Sequence, residues 1–278
     1  MTYAAQETSI QDANPVELFT FTRGNSTWNY TSASADYTDT TVSPHVTYTS
    51  ASIDAGNVEA SNEDLRNSLK LTVSREFAIA ELLRVAAPTD VVAITIRRLH
   101  RDDGTPVVAW MGRVLSCTTS GAETAIQCEP LTISLKRTGL RQLYQRSCPH
   151  VLYGAGCGLD KADWDTSATV ATISGLTITV GALMAGMSYG GGFIEWIDGN
   201  GNTERRFIES VSTSGSPETN TLMLTQAFVG LATSDTITVY PGCAHNTTSC
   251  NDEFSNIINY GGWPYIPVKN IFVGNPVF

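Results

Sequence analysis

Residues 146–160 read RSCPHVLYGAGCGLD, and residues 240–254 read YPGCAHNTTSCNDEF. Both stretches are loops rich in turn-forming residues, and together they hold Cys148, Cys157, Cys243 and Cys250. Between them, apolar and polar side chains alternate in several segments, which predicts β-strands. Four thiolates from two loops can hold a metal centre, which would join segments far apart in the sequence. We therefore expect these cysteines to decide the fold of the C-terminal half.

The spacing of the four cysteines favours an iron–sulfur cluster over a single zinc ion. The pattern is C-x8-C, then 85 residues, then C-x6-C. Structural zinc sites usually separate paired cysteines by about two to four residues, because a short turn aims both sulfurs at one ion. A [4Fe–4S] cluster presents four iron atoms and accepts thiolates from more widely spread positions. Zinc and a site without metal stay open as alternatives.

Each cysteine loop also contains a Cys-x-His step, which ends at His150 in the first loop and at His245 in the second. A mixed cysteine–histidine site, including a Rieske-type one, would use these steps. It would leave Cys157 and Cys250 without a role. The site of four cysteines is therefore the preferred interpretation.

Two further cysteines, Cys117 and Cys128, flank a predicted hairpin turn at residues 120–123. A hairpin there would place them roughly opposite each other on paired strands. We expect small buried thiols, with a redox or ligand role as the alternative.

The sequence lacks the common signatures of catalytic sites. It contains no G-x-S-x-G, no H-E-x-x-H and no phosphate-binding glycine loop. A cysteine nucleophile with His245 as its base would leave the grouping of four cysteines unexplained. We therefore predict that the protein is not an enzyme.

Charge and hydropathy exclude several classes of protein. The 278 residues carry a formal net charge of −10, whereas a protein that follows nucleic-acid phosphates needs a basic surface. No run of about 18 apolar residues occurs, so no membrane span is predicted. The first 15 residues lack the basic and apolar regions of a signal peptide. We expect a reducing compartment, where cysteines serve as ligands or buried groups more often than as disulfides.

The pattern of alternation predicts a mainly β fold. Residues 67–73, NSLKLTV, read as a half-buried strand, and residues 76–86, EFAIAELLRVA, are the best helical stretch. A hairpin tip is predicted at residues 199–202. We divide the chain into an N-terminal β domain at 1–140, a small β domain with the four cysteines at 141–255, and a tail at 256–278.

The tail is aromatic, rich in proline and glycine, and uncharged after Tyr260 apart from Lys269. A segment of this composition cannot form a core alone, so we expect it to pack against its own domain or a neighbouring subunit. The candidate partner-binding residues are Trp263, Tyr265, Phe272 and Phe278.

The stretch CAHNTTSCNDEFSNIINYGGWPYIP resembles the signature of tail-tip, or baseplate-hub, proteins of long-tailed phages and gene transfer agents. The matching residues are Cys243, Cys250, Phe254, Asn259, Gly261, Gly262, Pro264 and Pro267. The stretch CPHVLYGAGCGLD is similar to the first cysteine loop of that family. The intra-pair spacings resemble those of lambda-like members, whose C-terminal domain holds a [4Fe–4S] cluster.

This resemblance implies a virion structural protein of the phage tail, assembled in the cytoplasm of the bacterial host. It implies a tail-tube-like β-barrel in the N-terminal half and a [4Fe–4S] cluster on the four cysteines. The expected assembly is a homotrimer that joins the tail tube and distal tail protein to a central fibre or tip around the DNA channel. A contact with the tape measure protein is a further expectation. The alternatives are an iron–sulfur electron-transfer module and a tail-associated peptidoglycan hydrolase.

Overall fold

The computed structural model describes residues 15–56, 68–100, 106–136, 142–214 and 218–267, together with Thr8 and Gly139. The chain divides into two compact units. The first comprises Met1–Arg137 with Ile197–Thr203, and the second comprises Thr138–Trp196 with Glu204–Phe278. Both are built mainly from β-strands, as the alternating sequence predicted.

The first unit contains a nine-stranded sheet. Its strands are β1 (Pro15–Arg23), β2 (Ser26–Thr31), β3 (Tyr37–Asp39), β4 (Val46–Ser50), β5 (Ile53–Ala55), β6 (Leu69–Ser74), β7 (Ala93–His100), β8 (Val107–Ser120) and β9 (Glu123–Pro130). Their order across the sheet is β3-β4-β2-β1-β7-β8-β9-β6-β5. The strand predicted from NSLKLTV is β6, and its Leu69, Leu71 and Val73 are buried in the core of this unit.

Helix α1 (Ala78–Val85) forms where the helical stretch was predicted. Its Ile79 and Ala80 pack into the same core as β6. The helix ends shortly before Pro88, whose ring cannot continue a helix. Shorter helical turns are the 3-10 helices Leu131–Lys136, Lys161–Asp163 and Ile257–Asn259, and the π-helix Ser249–Glu253.

The barrel that was expected in the N-terminal half lies in the C-terminal half instead. Within the described residues, the sheet of the first unit is open, and its edge strands β3 and β5 have only three residues each. The closed barrel is formed by six strands that follow the first cysteine loop.

The six strands of the barrel are β10 (Thr166–Ser174), β11 (Thr177–Val180), β12 (Phe193–Ile197), β13 (Thr203–Ser214), β14 (Thr219–Leu224) and β15 (Thr236–Tyr240). They close in the order β10-β11-β14-β13-β12-β15. The barrel core includes the fully buried Ile178, Ile194, Leu222 and Val239. The turn between β12 and β13 contains the hairpin tip predicted at residues 199–202.

The prediction that Cys117 and Cys128 face each other is wrong. The turn pairs Ser120 with Glu123, and the register that follows from it places Cys117 opposite Ile126. The bulge between Val114 and Ser116 then places Cys128 opposite Val114. Cys128 belongs to the core of the first unit, and Cys117 packs against it. Burial raises the pKa of both thiols, that of Cys128 to about 12. Both are free, as expected for small buried groups.

Candidate metal centre

The barrel brings the two cysteine loops together through its first and last strands. The first loop leads into β10, and β15 leads into the second loop. These two strands are antiparallel neighbours, with Thr166 opposite Val239. The start of β10 therefore lies beside the end of β15. Loops that are distant in sequence are thus attached to adjacent strand ends.

The four predicted ligand residues line one small pocket, and they are Cys148, Cys157, Cys243 and Cys250. All four have free thiols, so none is bridged to Cys117 or Cys128. The structure thus brings together the sulfurs that the sequence grouped in pairs. His150 and His245 line the same pocket.

The side chains around the four-cysteine pocket are not arranged as a ready-made metal site. Among the residues that the structure describes, no three His, Cys, Asp or Glu side chains are placed to hold a metal ion. A [4Fe–4S] cluster and a zinc ion therefore both stay proposals for this pocket.

Three of the four sulfurs accept a hydrogen bond from an N–H group. The donors are the His245 amide to Cys243 (3.3 Å), the Gly261 amide to Cys148 (3.4 Å) and the Asn256 side chain to Cys157 (3.6 Å). Hydrogen bonds of this kind are the outer contacts that orient metal-bound cysteines. The donor set around these sulfurs therefore fits thiolates bound to a metal centre.

Cys250 differs from the other three cysteines. Burial raises the pKa of its thiol, and the three neighbouring cysteines raise it further. Its Sγ donates a hydrogen bond to the Asn256 carbonyl oxygen at 3.2 Å. A positive charge beside the Cys250 sulfur would oppose this shift, because it favours the thiolate. A bound metal centre would supply that charge, and the Cys250 sulfur would then lose its bond to Asn256.

His245 joins the two cysteine loops. Its carbonyl oxygen accepts a hydrogen bond from the Cys148 amide at 2.9 Å. Its Nδ1 lies 3.1 Å from the Cys148 carbonyl oxygen, which requires the proton on Nδ1. The paired bonds fix Cys148 relative to Cys243, two residues before His245. The Cys-x-His step of the second loop therefore supports the cysteine positions.

Asn256 contacts both cysteine loops, and reasoning from the sequence made no prediction for it. It is 7% exposed, and its side chain donates to the Cys157 carbonyl oxygen at 2.7 Å. Its backbone amide donates to the Cys250 carbonyl oxygen at 2.8 Å. Asn259 donates to the Asn256 side-chain oxygen at 2.7 Å, which gives the Asn259 of the family signature a structural role. A feature of the sequence that could have pointed to Asn256 is its position three residues before Asn259 of the family signature.

Residues 260–263 lie across the start of the first cysteine loop. The Trp263 amide donates to the Gln145 carbonyl oxygen at 2.8 Å. The Tyr260 hydroxyl donates to the Arg146 carbonyl oxygen at 2.6 Å. These residues therefore pack against the second unit, to which they belong.

Close packing explains the two adjacent glycines of this segment. A Cβ at Gly261 would collide with the His150 ring. A Cβ at Gly262 would lie 2.5 Å from the Arg146 carbonyl oxygen. The opposite side of the His150 ring is close to Gly156, where a Cβ would lie 2.5 Å from Nδ1. Any larger side chain at these positions would push the first cysteine loop away.

Unusual backbone conformations concentrate in the cysteine loops. Of the four non-glycine residues with positive φ among those described, Tyr153, His245 and Ser255 lie in or next to these loops. Cys250 lies in the π-helix Ser249–Glu253, in which the Phe254 amide donates to the Ser249 carbonyl oxygen. Left-handed residues and π-turns are both enriched at functional sites.

Two of the four predicted partner-binding residues can be placed. Trp263 is 53% exposed and packs against Tyr144, with ring centroids 5.1 Å apart. Tyr265 is 95% exposed. Phe272 and Phe278 lie outside the described residues. The first two are thus accessible to a partner.

The C-terminal part of the chain is similar to a phage protein family. Residues 187–270 match a family described as "Phage conserved hypothetical protein BR0599". This range contains the second cysteine loop and residues 260–263. A protein of Xylella fastidiosa (strain 9a5c), described as an uncharacterized protein, is 28% identical over 169 residues. That match covers 56% of this chain and 34% of the relative, so it spans about a third of the relative's length.

The whole chain is similar in fold to a solved virion protein. The similar chain comes from a structure titled "Virion of native gene transfer agent (GTA) particle". The match has a TM-score of 0.76 and covers 99% of this chain and 96% of that chain. At 17% identity it establishes a shared fold. No helix in the described part of this chain is long and apolar enough to cross a membrane.

Proposed function

We propose that the protein is a structural component of the tail of a phage or gene-transfer-agent virion. The observation that carries this proposal is the likeness in fold to a virion chain over nearly the full length of both. The match of residues 187–270 to a phage family adds support from sequence. The role that follows is structural, without a catalytic activity.

More narrowly, the protein would be a hub at the tail tip or baseplate. It would join the tail tube and distal tail protein to a central fibre or tip, as a homotrimer around the DNA channel. The exposed Trp263 and Tyr265 suit contacts with such partners, because exposed aromatic groups are frequent anchors of protein interfaces. The acidic net charge of −10 suits a channel wall that DNA passes without binding.

The four cysteines would hold a [4Fe–4S] cluster. A bound cluster supplies four covalent links between the two loops, which adds to the stability of the folded state. The chain itself holds the sulfurs in position through N–H donors to three of them and through the two hydrogen bonds between His245 and Cys148. Zinc remains the alternative occupant.

The virion role can be tested in particles. The gene is deleted from the phage or gene-transfer-agent producer that carries it, and the wild-type chain or a Cys148→Ser variant is supplied from a plasmid. We expect the wild type to restore tails that antibody labelling decorates at the distal tip, and the variant to leave tails incomplete. A Cys117→Ser variant is the control. Complete, infectious particles without the protein would refute the virion role.

A further inference from the structure

A second cavity, of about 520 Å³, lies beside the four-cysteine pocket in the same unit. One wall is formed by residues 149–154 of the first cysteine loop. The other is formed by the barrel strands β12 and β13, which contribute Phe193, Arg205 and Phe207. The volume falls within the range of roughly 300–1,000 Å³ that is usual for binding sites.

The walls of this cavity are largely apolar, and part of the apolar surface is exposed. Phe193 is buried at 8% exposure, and its ring centroid lies 6.3 Å from that of Phe207. Phe207 is 56% exposed, and Val151 on the opposite wall is 77% exposed. Covering such side chains removes apolar surface from water, which is favourable at about 25 cal/mol per Å². A concave apolar surface with exposed edges is typical of an interaction site.

The charged side chains that line the cavity are Lys161 and Arg205, and both are cations. Glu195 holds them in place: its Oε2 lies 3.0 Å from the Lys161 Nζ, and its Oε1 accepts from the Arg205 Nε at 2.9 Å. The Arg205 guanidinium lies over the Phe193 ring at 4.6 Å. No carboxylate is among the described residues that line the cavity. Glu195 offsets one of the two positive charges, so one net positive charge remains beside the cavity.

We propose that the cavity is a docking site for a segment of another protein in which an apolar side chain is followed by a carboxylate. The apolar group would pack against Phe207 in the space between β13 and the first cysteine loop, and the carboxylate would lie near Lys161 and Arg205. A peptide fits better than a small enclosed molecule, because an extended chain also covers the exposed Val151. The proposal goes beyond the proposed virion role and does not depend on a metal centre.

A matched pair of capped dipeptides tests this proposal on the full-length protein. The probes are acetyl-(4-fluoro)Phe-Glu-amide and acetyl-(4-fluoro)Phe-Gln-amide, which differ only in charge. Fluorine NMR of the peptides gives their dissociation constants at low and high salt. We expect the Glu peptide to bind about two- to fivefold more tightly at low salt, and the preference to shrink at high salt.

Three variants locate the binding. Phe207→Ser, at a partly exposed position, should weaken both peptides, and Arg205→Gln should remove the preference for the Glu peptide. Arg84→Gln, at an exposed position of α1, is the control and should change neither constant. Thermal unfolding verifies that each variant is folded. Equal affinity for the two peptides, unchanged binding by Phe207→Ser, or no binding of either peptide would overturn the proposal.

Discussion

Asn256 shows how much of the site depends on residues that are not cysteines. It is buried between the two cysteine loops, bonded to the Cys157 carbonyl by its side chain and to the Cys250 carbonyl by its backbone. The sequence did not identify it, because an asparagine in a polar loop normally indicates a turn. The side-chain amide of Asn256 reaches the Cys157 sulfur because the two loops fold against each other, which a local sequence pattern does not show.

Replacing this amide should destabilise the second unit. In Asn256→Leu, the Cys157 carbonyl oxygen and the Asn259 side chain lose their partner. Unsatisfied buried polar groups cost about 1–3 kcal/mol each, so we expect a loss of that size in the free energy of unfolding. Equilibrium unfolding in urea measures it. Asn251→Ala, at an exposed position of the π-helix, is the control. Equal stability of the two variants would contradict this role of Asn256.

Gly261 gives a second prediction for a single residue. In Gly261→Ala the new methyl group collides with the His150 ring, and forced repacking costs about 1–3 kcal/mol. Gly181→Ala is the control, because no atom lies within 4 Å of the position that its new methyl group would take. Adding His150→Ala to Gly261→Ala should recover part of the loss, since it removes the colliding ring. No recovery in a thermal-unfolding cycle would place the cause elsewhere.

At the scale of elements, the pairing of β10 with β15 holds the cysteine loops side by side. The strands themselves were predicted, because alternation is a local property of the sequence. Their partners were not, since pairing joins residues about 70 positions apart, such as Thr166 and Val239. Local patterns also mislead at turns: Leu176 alternates in step with the buried Ile178 and Val180, but it precedes β11 and is 38% exposed.

Truncating a core side chain of β15 should therefore destabilise the barrel that holds the two cysteine loops. Ile237 is 1% exposed, and Ile237→Ala should lower the free energy of unfolding by about 2–5 kcal/mol. Ile258→Ala is the matched control, because Ile258 is 90% exposed and its loss should change stability by under about 0.5 kcal/mol. Urea unfolding followed by tryptophan fluorescence compares the two. Similar effects of both variants would contradict the described barrel core.

The ion pairs of β12 should make stability depend on pH. Burial alone would raise the pKa of Glu195, but Arg205 and Lys161 outweigh it and hold the pKa below its ordinary value of 4.5. The carboxylate therefore stabilises the fold above about pH 4.5, and this contribution is lost as the pH falls through the lower folded-state pKa. Glu195→Gln should lose stability at pH 6 and show a weaker decline toward pH 3. Parallel pH profiles of the melting temperature for the two proteins would contradict this assignment.

At the scale of the whole molecule, a mainly β chain and a grouping of four cysteines were predictable from the sequence. The division into an open sheet and a closed barrel was not, because barrel closure depends on strand order and length. The likeness in fold to a virion chain extends over both units, whereas the phage-family match covers residues 187–270 only. The pocket lined by four free cysteines sets the second unit apart from an ordinary β-barrel.

We propose that the four sulfurs hold one iron–sulfur cluster. The most direct test is an iron and acid-labile sulfide count on protein purified without oxygen, with Cys250→Ser and Cys117→Ser variants alongside. We expect about four irons and four sulfides per chain in the wild type and in Cys117→Ser, and a marked loss of both in Cys250→Ser. Stoichiometric zinc, or no metal in the wild type, would contradict the claim.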